Sequence, residues 1–334
     1  MARAWHLKSR PDGMPTMDNF EIKDVELPPL EDGMLRVANR WLSVDPYMRG
    51  RMNDTKSYVP PFAIDAPLEG GAVGEVVESK AEGFAKGDLV QHMAGWRDEA
   101  VIAAKTAMKL PDLGADPQAY LGILGVTGLT AYFGLLDVAA AKEGDVVFVS
   151  AAAGAVGSAV VQIAKAKGMT VIGSAGGAAK CEYVRALGAD AVVDYRAGPV
   201  PKGLVKAVKE VGAEGVDVYF DNVGGDHLDA ALALAKNNAR FAICGMIAGY
   251  NAAEPTSLRF LMRTIAARIT LRGFIVFDFQ SRYGEFYEAM GPWLKSGAVK
   301  AQETVVEGLE KTPEAFLGLF SGKNTGKMLV KLTD

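Results

Sequence analysis

One stretch of this sequence, from Asp145 to Ser174, constrains the fold more than any other. It reads DVVFVSAAAGAVGSAVVQIAKAKGMTVIGS, an apolar run, a turn of alanines and glycines, an amphipathic segment and a second apolar run. Because the small residues lie between a predicted strand and a predicted helix, backbone amides can approach a pyrophosphate at the positive end of the helix. The stretch therefore predicts a βαβ unit that binds a dinucleotide.

The turn has an AxxGxxG pattern that runs from Ala151 to Gly157. A glycine pattern alone is weak evidence, and the competing interpretation is a turn that only packs a strand against a helix. The position between a strand and a helix that begins near Ala155 favours the cofactor site. The turn residues predicted to bind the cofactor are Ala153, Gly154, Ala155, Val156 and Gly157.

The end of the second apolar run indicates which dinucleotide is bound. Enzymes that use NAD place an acid about 20 residues beyond the first fingerprint glycine, where it binds the ribose hydroxyls. Residues 173–177 read GSAGG, so no carboxylate is present to repel a 2′-phosphate. Lys180 supplies a cation on the following helix, although most lysines are simply solvated. We therefore predict NADP as the cofactor, with Ser174, Gly176 and Lys180 among its contacts.

Composition narrows the class of protein. A length of 334 residues suggests two domains, and 49% hydrophobic with 23% charged residues is typical of a soluble globular chain. The net charge of -4, without a basic run interleaved with aromatics, makes nucleic acid and anionic membranes poor partners. The first residues lack the apolar core of a signal peptide, and the two cysteines suit a reducing compartment, so we expect a cytoplasmic protein.

The second half of the chain alternates predicted strands and helices. Such alternation predicts a doubly wound parallel sheet of the Rossmann type, whose ligand lies beyond the carboxyl ends of the strands. Residues that directly follow strands, such as Gly245 and Phe277, are therefore site candidates. After the fingerprint unit, strands are predicted at Ala191–Asp194, Val216–Asp221, 240–244 and 269–277, and helices at 180–187, 202–211 and 228–235.

The first half has short β-like runs separated by Gly and Pro turns, which predicts a small β-rich barrel. Two further strands near the C-terminus, at 302–307 and 327–332, are expected to close that barrel. The Rossmann domain is then an insertion. The predicted domains are 1–125 for the first part of the barrel, 126–296 for the dinucleotide domain and 297–334 for the return to the barrel.

These motifs together resemble the medium-chain dehydrogenase/reductase superfamily, in which a GroES-like catalytic domain flanks a Rossmann domain. Narrower strings resemble the leukotriene hydroxydehydrogenase and prostaglandin reductase branch, with its alkenal double-bond reductases and curcumin-reductase-type enzymes. The general motifs are GGxxGxV from Gly70, KGDxV from Lys86, GLTAY from Gly128 and the AxxGxxG turn. The narrower strings are DPYMR from Asp45, YFDNVGG from Tyr219 and NTGK from Asn324.

Zinc alcohol dehydrogenases of the same superfamily are one alternative. A structural zinc needs four closely spaced thiolates and a catalytic zinc about three Cys, His or acid ligands. The available histidines and cysteines are scattered along the chain, so we predict no metal. They are His6, His92, His227, Cys181 and Cys244.

Without a Lewis acid, the developing negative charge must be held by hydrogen bonds, which suits reduction of an α,β-unsaturated carbonyl compound. Hydride added to the β carbon builds charge on the carbonyl oxygen, and a donor that meets this charge in the transition state lowers the barrier. Tyr250, just beyond the fifth strand, is the predicted donor, and the resemblance implies a tyrosine in this segment. The competing interpretation is an aromatic that only walls the pocket.

The resemblance implies the remaining contacts. It places Tyr47 at the substrate, with a weaker case for Arg49 and Arg51, which more often serve as ion-pair or backbone anchors. It adds Tyr195 to Lys180 around the adenosine phosphate, and it places Thr127 near the nicotinamide. The full set of predicted cofactor contacts is completed by Asn222, Gly245, Tyr250, Phe277, Asn324 and Gly326.

Three other functions remain open at this stage. An NADPH quinone oxidoreductase shares the fold and cofactor, a crystallin-like protein keeps the cofactor site without catalysis, and some relatives oxidise allylic alcohols. The physiological substrate is not identified. An apolar run from Gly273 to Phe277 resembles an edge strand that a partner would cover, so a homodimer is expected.

Overall fold

A computed structural model describes residues 1–332 of the chain. These residues form two compact units, which we name by their secondary structure. The β unit comprises Met1–Leu121 together with the segment that begins at Glu303, and the α/β unit comprises Gly122–Gln302. Each unit is described by itself below.

Within residues 1–332 the strands are β1 (Ala2–Leu7), β2 (Phe20–Val25), β3 (Met34–Ser43), β4 (Ala72–Ser79), β5 (Leu89–His92), β6 (Glu99–Ala103), β7 (Met108–Lys109), β8 (Val146–Val149), β9 (Thr170–Ala175), β10 (Ala191–Asp194), β11 (Val216–Asp221), β12 (Ala235–Ile243), β13 (Thr270–Gly273), β14 (Glu303–Glu307) and β15 (Lys327–Lys331). The α-helices in the same residues are α1 (Met48–Arg51), α2 (Val126–Phe133), α3 (Ala155–Ala166), α4 (Ala178–Ala186), α5 (Val200–Glu210), α6 (Gly225–Leu234), α7 (Arg263–Ala266), α8 (Tyr283–Ser296) and α9 (Thr312–Phe320).

The α/β unit is built on a parallel six-stranded sheet with the order β10-β9-β8-β11-β12-β13. The chain starts in the middle at β8, moves outward to β10, and then crosses to β11 on the other side. This order is the Rossmann arrangement, and it confirms the predicted fold class. Strand β8 is buried throughout because its four residues, VVFV, are apolar and lie in the middle of the sheet.

The predicted strands of this unit are confirmed, with the bounds of two of them corrected. Strand β12 begins earlier than predicted, at Ala235, and the strand predicted over 269–277 ends at Gly273. The residues from Val276 to Arg282 form a 3-10 helix instead. The apolar run after Gly273 therefore resembles a strand in composition but is not one. The edge strand on this side of the sheet is β13.

The β unit has a two-stranded antiparallel sheet, β1-β2, and a larger sheet with the order β14-β15-β3-β4-β5-β7, in which β6 also pairs with β3. Strand β15 lies antiparallel to β3, with Leu329 opposite Ser43. The last strands of the chain thus join the sheet formed by its first part. A buried aromatic group packs beneath them, in which Trp96 stacks on Phe20 at 5.8 Å between ring centroids.

No helix within the described part of the chain is both long and apolar enough to cross a lipid bilayer.

Candidate active site

The fingerprint turn of the α/β unit connects β8 to α3 as predicted. Ala151 lies in the left-handed backbone region with φ of +48°. A Cβ atom added to Gly157 would overlap the carbonyl oxygen of Ala151, so only glycine fits there. The helix begins at Ala155, after Gly154 as its N-cap. The turn therefore brings bare backbone to the N-terminus of a twelve-residue helix, as a pyrophosphate site requires.

A buried carboxylate lies under the turn that follows β11. Asp221 is fully buried, and its Oδ1 accepts hydrogen bonds from the Tyr219 hydroxyl at 2.7 Å and the amides of Val223 and Gly224 at 2.9 and 2.8 Å. The Ser150 hydroxyl lies 3.3 Å from the same oxygen. Burial raises the pKa of the Asp221 carboxyl, and these hydrogen bonds oppose the increase. We call Ser150, Tyr219 and Asp221 the Asp221 network.

This network joins two loops at the ligand edge of the sheet. Ser150 directly precedes the fingerprint turn, and its hydroxyl accepts a hydrogen bond from the Asn222 amide at 2.9 Å. The side-chain amide of Asn222 donates to the Ser150 carbonyl at 2.8 Å. The predicted cofactor contact Asn222 is therefore held against the end of β8, beside the turn.

Tyr250 lies in the next loop along the edge, after β12. Its half-buried ring folds back over the loop, and its hydroxyl accepts a hydrogen bond from the Met246 amide at 3.4 Å. A Cβ atom at Gly245 would meet that hydroxyl at 3.1 Å. The Ile247 amide donates to the Asn222 carbonyl at 3.3 Å, which links this loop to the previous one. The α/β unit thus brings the predicted residues Asn222, Gly245 and Tyr250 together.

The adenosine end of the predicted site lies at the N-terminus of α4. The Tyr195 ring packs on Gly176, where an added Cβ would lie 2.5 Å from the phenol oxygen. Lys180 is half-buried in the first turn of α4. Burial lowers the pKa of the Lys180 ammonium, and the nearby charge of Arg196 lowers it further. Gly176, Lys180 and Tyr195 therefore lie together at this helix end, where Arg196 also lies, and their cofactor roles remain predictions.

Ser174 and His227 form a buried pair behind this end of the sheet. The Ser174 hydroxyl lies within strand β9 and hydrogen-bonds to His227 Nε2 at 2.9 Å. The imidazole stacks on Phe148 and meets the Tyr195 ring edge-on, with centroids 6.4 and 5.6 Å apart. Burial lowers the pKa of His227 to about 4, so the ring is neutral at pH 7. The Ser174 side chain is thus directed into the protein, and its cofactor role remains a prediction.

Two further predicted contacts of this unit lie in helical segments. Thr127 is buried in α2, and its hydroxyl donates to the Gly122 carbonyl at 2.7 Å. Phe277 is 45% exposed and belongs to the 3-10 helix after β13, not to the end of a strand. Phe277 was selected as a site residue because it was expected to follow a strand, and that expectation was wrong. Its assignment as a cofactor contact remains a prediction.

The β unit carries the predicted substrate residue Tyr47. Its hydroxyl is buried and makes no hydrogen bond with the described residues. Burial raises the pKa of this phenol, and the nearby Asp45 carboxylate raises it further. Tyr47 therefore keeps its proton at neutral pH and can donate it in a hydrogen bond.

An ion pair between a buried lysine and a partly buried aspartate connects two of the strings that carry the family resemblance. Lys327, at the end of NTGK, is 4% exposed, and its Nζ donates to Asp45 Oδ1 at 2.7 Å and to the Val44 carbonyl at 2.9 Å. The other Asp45 oxygen accepts a hydrogen bond from the Ser43 hydroxyl. The DPYMR loop with Tyr47 is thus fastened to the first residue of β15.

The neighbouring residues of these strings have structural roles. The side chain of Asn324 donates to the Gly326 carbonyl at 2.8 Å, and Gly326 has φ of +69°, which favours glycine. Arg49 is buried and donates to Asn53 and to the Gly13 carbonyl. Arg51 pairs with Glu69 at 2.8 Å. Both arginines act as anchors, and the cofactor roles of Asn324 and Gly326 remain predictions.

Sequence reasoning missed four residues around the α/β edge. Ser150 and Asp221 each end or directly follow a strand, and a polar residue at the end of an apolar run is a signal that could have found them. Arg196 follows Tyr195 directly and was visible as a second cation near the acid-free strand end. His227 appeared only among the scattered residues that do not form a metal site, and no local pattern ties it to Ser174.

Within residues 1–332, no group of three or more His, Cys, Asp or Glu side chains is placed to hold a metal ion.

Comparison with known proteins adds the family. Residues 3–110 match the family described as "N-terminal domain of oxidoreductase", and residues 155–295 match the family described as "Zinc-binding dehydrogenase". NADPH-dependent curcumin reductase of Escherichia coli is 41% identical over 337 residues, which cover 99% of this chain and 96% of that protein. The NADP-dependent 2-alkenal reductase of Nicotiana tabacum is 41% identical over 333 residues, covering 98% and 96%.

A solved structure matches the chain along its full length. The crystal structure of CurA from Vibrio vulnificus in complex with NADPH has a TM-score of 0.92 and 40% sequence identity, and the match covers 99% of both chains.

Proposed function

We infer the function of this chain from its family, since it belongs to the medium-chain dehydrogenase/reductase superfamily, in the branch of the curcumin, 2-alkenal and prostaglandin reductases. It is an NADPH-dependent reductase of the carbon-carbon double bond of α,β-unsaturated aldehydes and ketones. The observation that carries this proposal is similarity along the full length to reductases of such compounds.

The residues present fit NADP. The turn from Ala151 to Gly157 exposes backbone at a helix N-terminus, and the end of β9 carries no acid that would repel a 2′-phosphate. Two cationic side chains, Lys180 and Arg196, lie at the next helix end. When bound, NADPH supplies the hydride that adds to the β carbon, and the electron pair of the double bond moves to the carbonyl oxygen as an enolate. A proton at the α carbon then completes the saturated product.

We propose that Tyr250 holds the oxygen on which this charge develops. Its hydroxyl lies at the ligand edge, beside Gly245 and the loop of Asn222. A phenol is protonated at neutral pH, so it can donate a hydrogen bond to the enolate and stabilise the transition state more than the ground state. Tyr47 of the β unit is proposed as a substrate contact, because its buried, protonated hydroxyl has no hydrogen-bond partner among the described residues.

The reaction class is tested with NADPH deuterated at C4 and a panel of one alkenal, one enone and one quinone. Transfer of deuterium to the β carbon of the alkenal and enone, located by NMR, supports the proposal. Turnover of the quinone alone would favour a quinone oxidoreductase. Absence of NADPH oxidation with all three, despite NADPH binding, would favour the crystallin-like alternative.

The role of Tyr250 is tested by Tyr250→Phe, which should lower kcat for the enone by about 10²-fold, the size expected when one donor to a developing oxyanion is lost. The affinity for NADPH should be retained. Tyr132→Phe is the matched control, since the Tyr132 hydroxyl makes no hydrogen bond with the described residues of the chain. Equal kcat values for Tyr250→Phe and the parent enzyme would refute the assignment.

We also propose a homodimer that forms through the edge of the parallel sheet. Strand β13 lies at that edge, and the segment just before it in the sequence exposes Met262, the N-cap of α7, and Ile265 within α7, at 75% and 71% exposure. An open edge strand next to apolar surface favours pairing with a second copy. Light scattering after size-exclusion chromatography should give twice the chain mass, and Ile265→Asp should give the monomer. A monomeric parent protein would refute this proposal.

A cytoplasmic location completes the proposal and is supported by the two free thiols, Cys181 and Cys244. Fractionation of the source cells tests it, and recovery of the protein outside the cytoplasmic fraction would contradict it.

A further inference from the structure

The segment after β10 brings a second cation to the helix end where Lys180 lies. Arg196 directly follows Tyr195, and its Nη1 would lie 3.9 Å from a Cβ atom added to Gly177. Gly177 is the N-cap of the nine-residue helix α4, and Lys180 is in the first turn of that helix. The guanidinium therefore lies near the backbone that begins the helix, and the ring of the preceding Tyr195 packs on Gly176.

Backbone hydrogen bonds hold this arrangement in place. Asp194 Oδ1 accepts from the Gly177 amide and from the Arg196 amide, each at 2.9 Å, so one carboxylate oxygen joins the end of β10 to the start of α4. The Tyr195 amide donates to the Ala175 carbonyl at 3.2 Å. The segment that carries Tyr195 and Arg196 is thus hydrogen-bonded to the acid-free end of β9 and to the start of α4. The backbone of Arg196 is therefore fixed in position.

The charges around Arg196 are unbalanced. No carboxylate of residues 1–332 lies within 4.0 Å of its guanidinium, although Asp194 is close enough to interact with it at longer range. Burial lowers the pKa of the Lys180 ammonium, and the positive charge of Arg196 lowers it further because like charges repel. Two like charges held at one helix N-terminus favour a bound anion that carries more than one charge.

The 2′-phosphate of NADP has this chemistry, because a phosphate monoester carries about −1.5 to −2 charges at pH 7. A guanidinium offers a planar pair of N–H donors that matches two phosphate oxygens, whereas an ammonium acts as a point charge. We propose that Arg196 is a specificity-determining residue that binds the 2′-phosphate of NADP together with Lys180 and Tyr195. This inference rests on the proposed function, since it concerns the cofactor of the same reaction.

The main test compares the two cofactors with one enone as substrate. Arg196→Gln should lower kcat/KM for NADPH about tenfold, the effect of losing one hydrogen bond to a charged group, and should leave kcat/KM for NADH unchanged. The loss should lie in KM, with kcat at saturating NADPH unchanged. A ratio of NADPH to NADH efficiency within twofold of the parent value would overturn the assignment.

A matched control removes a charge of the same kind from the same helix region. Arg185 is an exposed arginine in the last turn of α4, at the end opposite to Gly177. Arg185→Gln should leave the cofactor ratio within twofold of the parent value. If both substitutions lower the ratio of NADPH to NADH efficiency equally, the effect of Arg196→Gln comes from a general loss of surface charge. The assignment of Arg196 to the 2′-phosphate then fails.

A second measurement does not depend on catalysis. Adenosine 2′,5′-bisphosphate and 5′-AMP are titrated against the parent protein, Arg196→Gln and Arg196→Lys by calorimetry. The bisphosphate should bind about tenfold more weakly to Arg196→Gln, with an intermediate loss for Arg196→Lys, and 5′-AMP should bind all three equally. An Arg196-dependent bisphosphate affinity without any enone turnover would refute the proposed function alone, whereas enone turnover with an unchanged bisphosphate affinity would refute this inference alone.

Discussion

The two units hold their functional loops by different means. In the β unit, the DPYMR loop is fastened by a buried ion pair between Asp45 and Lys327. In the α/β unit, the loops after β8 and β11 are fastened by the Asp221 network, in which one carboxylate oxygen accepts hydrogen bonds from neutral hydroxyls and backbone amides. The ion pair of the β unit depends on one partner of opposite charge. The Asp221 network of the α/β unit distributes its stabilisation over several hydrogen-bond donors.

This difference predicts unequal tolerance to substitution. Removing one member of a buried ion pair leaves the other charge without compensation, which is strongly destabilising. Removing one of several neutral donors leaves the remaining hydrogen bonds to the carboxylate intact. We therefore expect the β unit to lose more stability than the α/β unit from a single substitution in its network.

The largest effect is expected for Asp45→Ala, which leaves the Lys327 ammonium with the Val44 carbonyl as its one hydrogen-bond partner among residues 1–332. The free energy of unfolding of the β unit should fall by about 3–5 kcal/mol. Urea denaturation followed by tryptophan fluorescence measures this, because Trp5, Trp41 and Trp96 all lie in the β unit.

The double variant Asp45→Ala/Lys327→Met is the control for that experiment. It removes both charges and should recover part of the lost stability, since a buried pair replaced by apolar groups is often neutral. A single variant as stable as the parent would show that the ion pair does not hold the loop.

A smaller effect is expected for Tyr219→Phe, which removes the 2.7 Å hydrogen bond to Asp221 and keeps the ring packing. The free energy of unfolding of the α/β unit should fall by about 1.5–3 kcal/mol, as for one hydrogen bond to a charged group. The pKa of the Asp221 carboxyl, already raised by burial, should rise further. Amide exchange at Val223 and Gly224 measures the loss locally, with Tyr132→Phe as the control. A loss equal to that of Asp45→Ala would remove the contrast between the units.

The smallest effect concerns the fingerprint turn itself. Ala151 has φ of +48°, a conformation that costs an L-residue about 1–2 kcal/mol. Ala151→Gly should therefore stabilise the α/β unit by about 0.5–1 kcal/mol after the entropic cost of glycine, with NADPH affinity retained. Thermal unfolding measures the gain. Ala153→Gly, at a position without positive φ, should destabilise instead, and stabilisation by both substitutions would contradict the strain argument.

Much of the fold was predictable because its signals are local. The AxxGxxG turn, the apolar runs of β8 to β11 and the following helices repeat with the periods of strands and helices, and these elements are confirmed. The run after Gly273 was predicted as strand because Phe274, Ile275 and Val276 have high β propensity, but propensity does not decide whether a neighbouring strand is available. Strand β12 pairs with β13 only as far as Gly273.

The position of a site residue could be predicted where it follows from the order of strands in the sequence. It could not be predicted where it depends on contacts with residues distant in the sequence. Lys180 and Tyr195 follow the second and third strands of the sheet, so topology alone places them at one edge. The Ser174 hydroxyl was assigned to the cofactor because of its position, yet it hydrogen-bonds to His227, 53 residues away. Nothing in the local sequence indicates toward which side of the strand that partner lies.

The sequence by itself determined the cofactor class and its form, because both depend on residue types at short spacing: small residues in a turn, and the absence of an acid at a strand end. Only the tertiary structure decided which groups distant in the sequence form an ion pair or a hydrogen bond with each other. Lys327 and Asp45 are separated by 282 residues, and Asp221 and Ser150 by 71. Such pairs depend on packing that brings residues distant in the sequence together and shields them from water, and local spacing does not encode this packing.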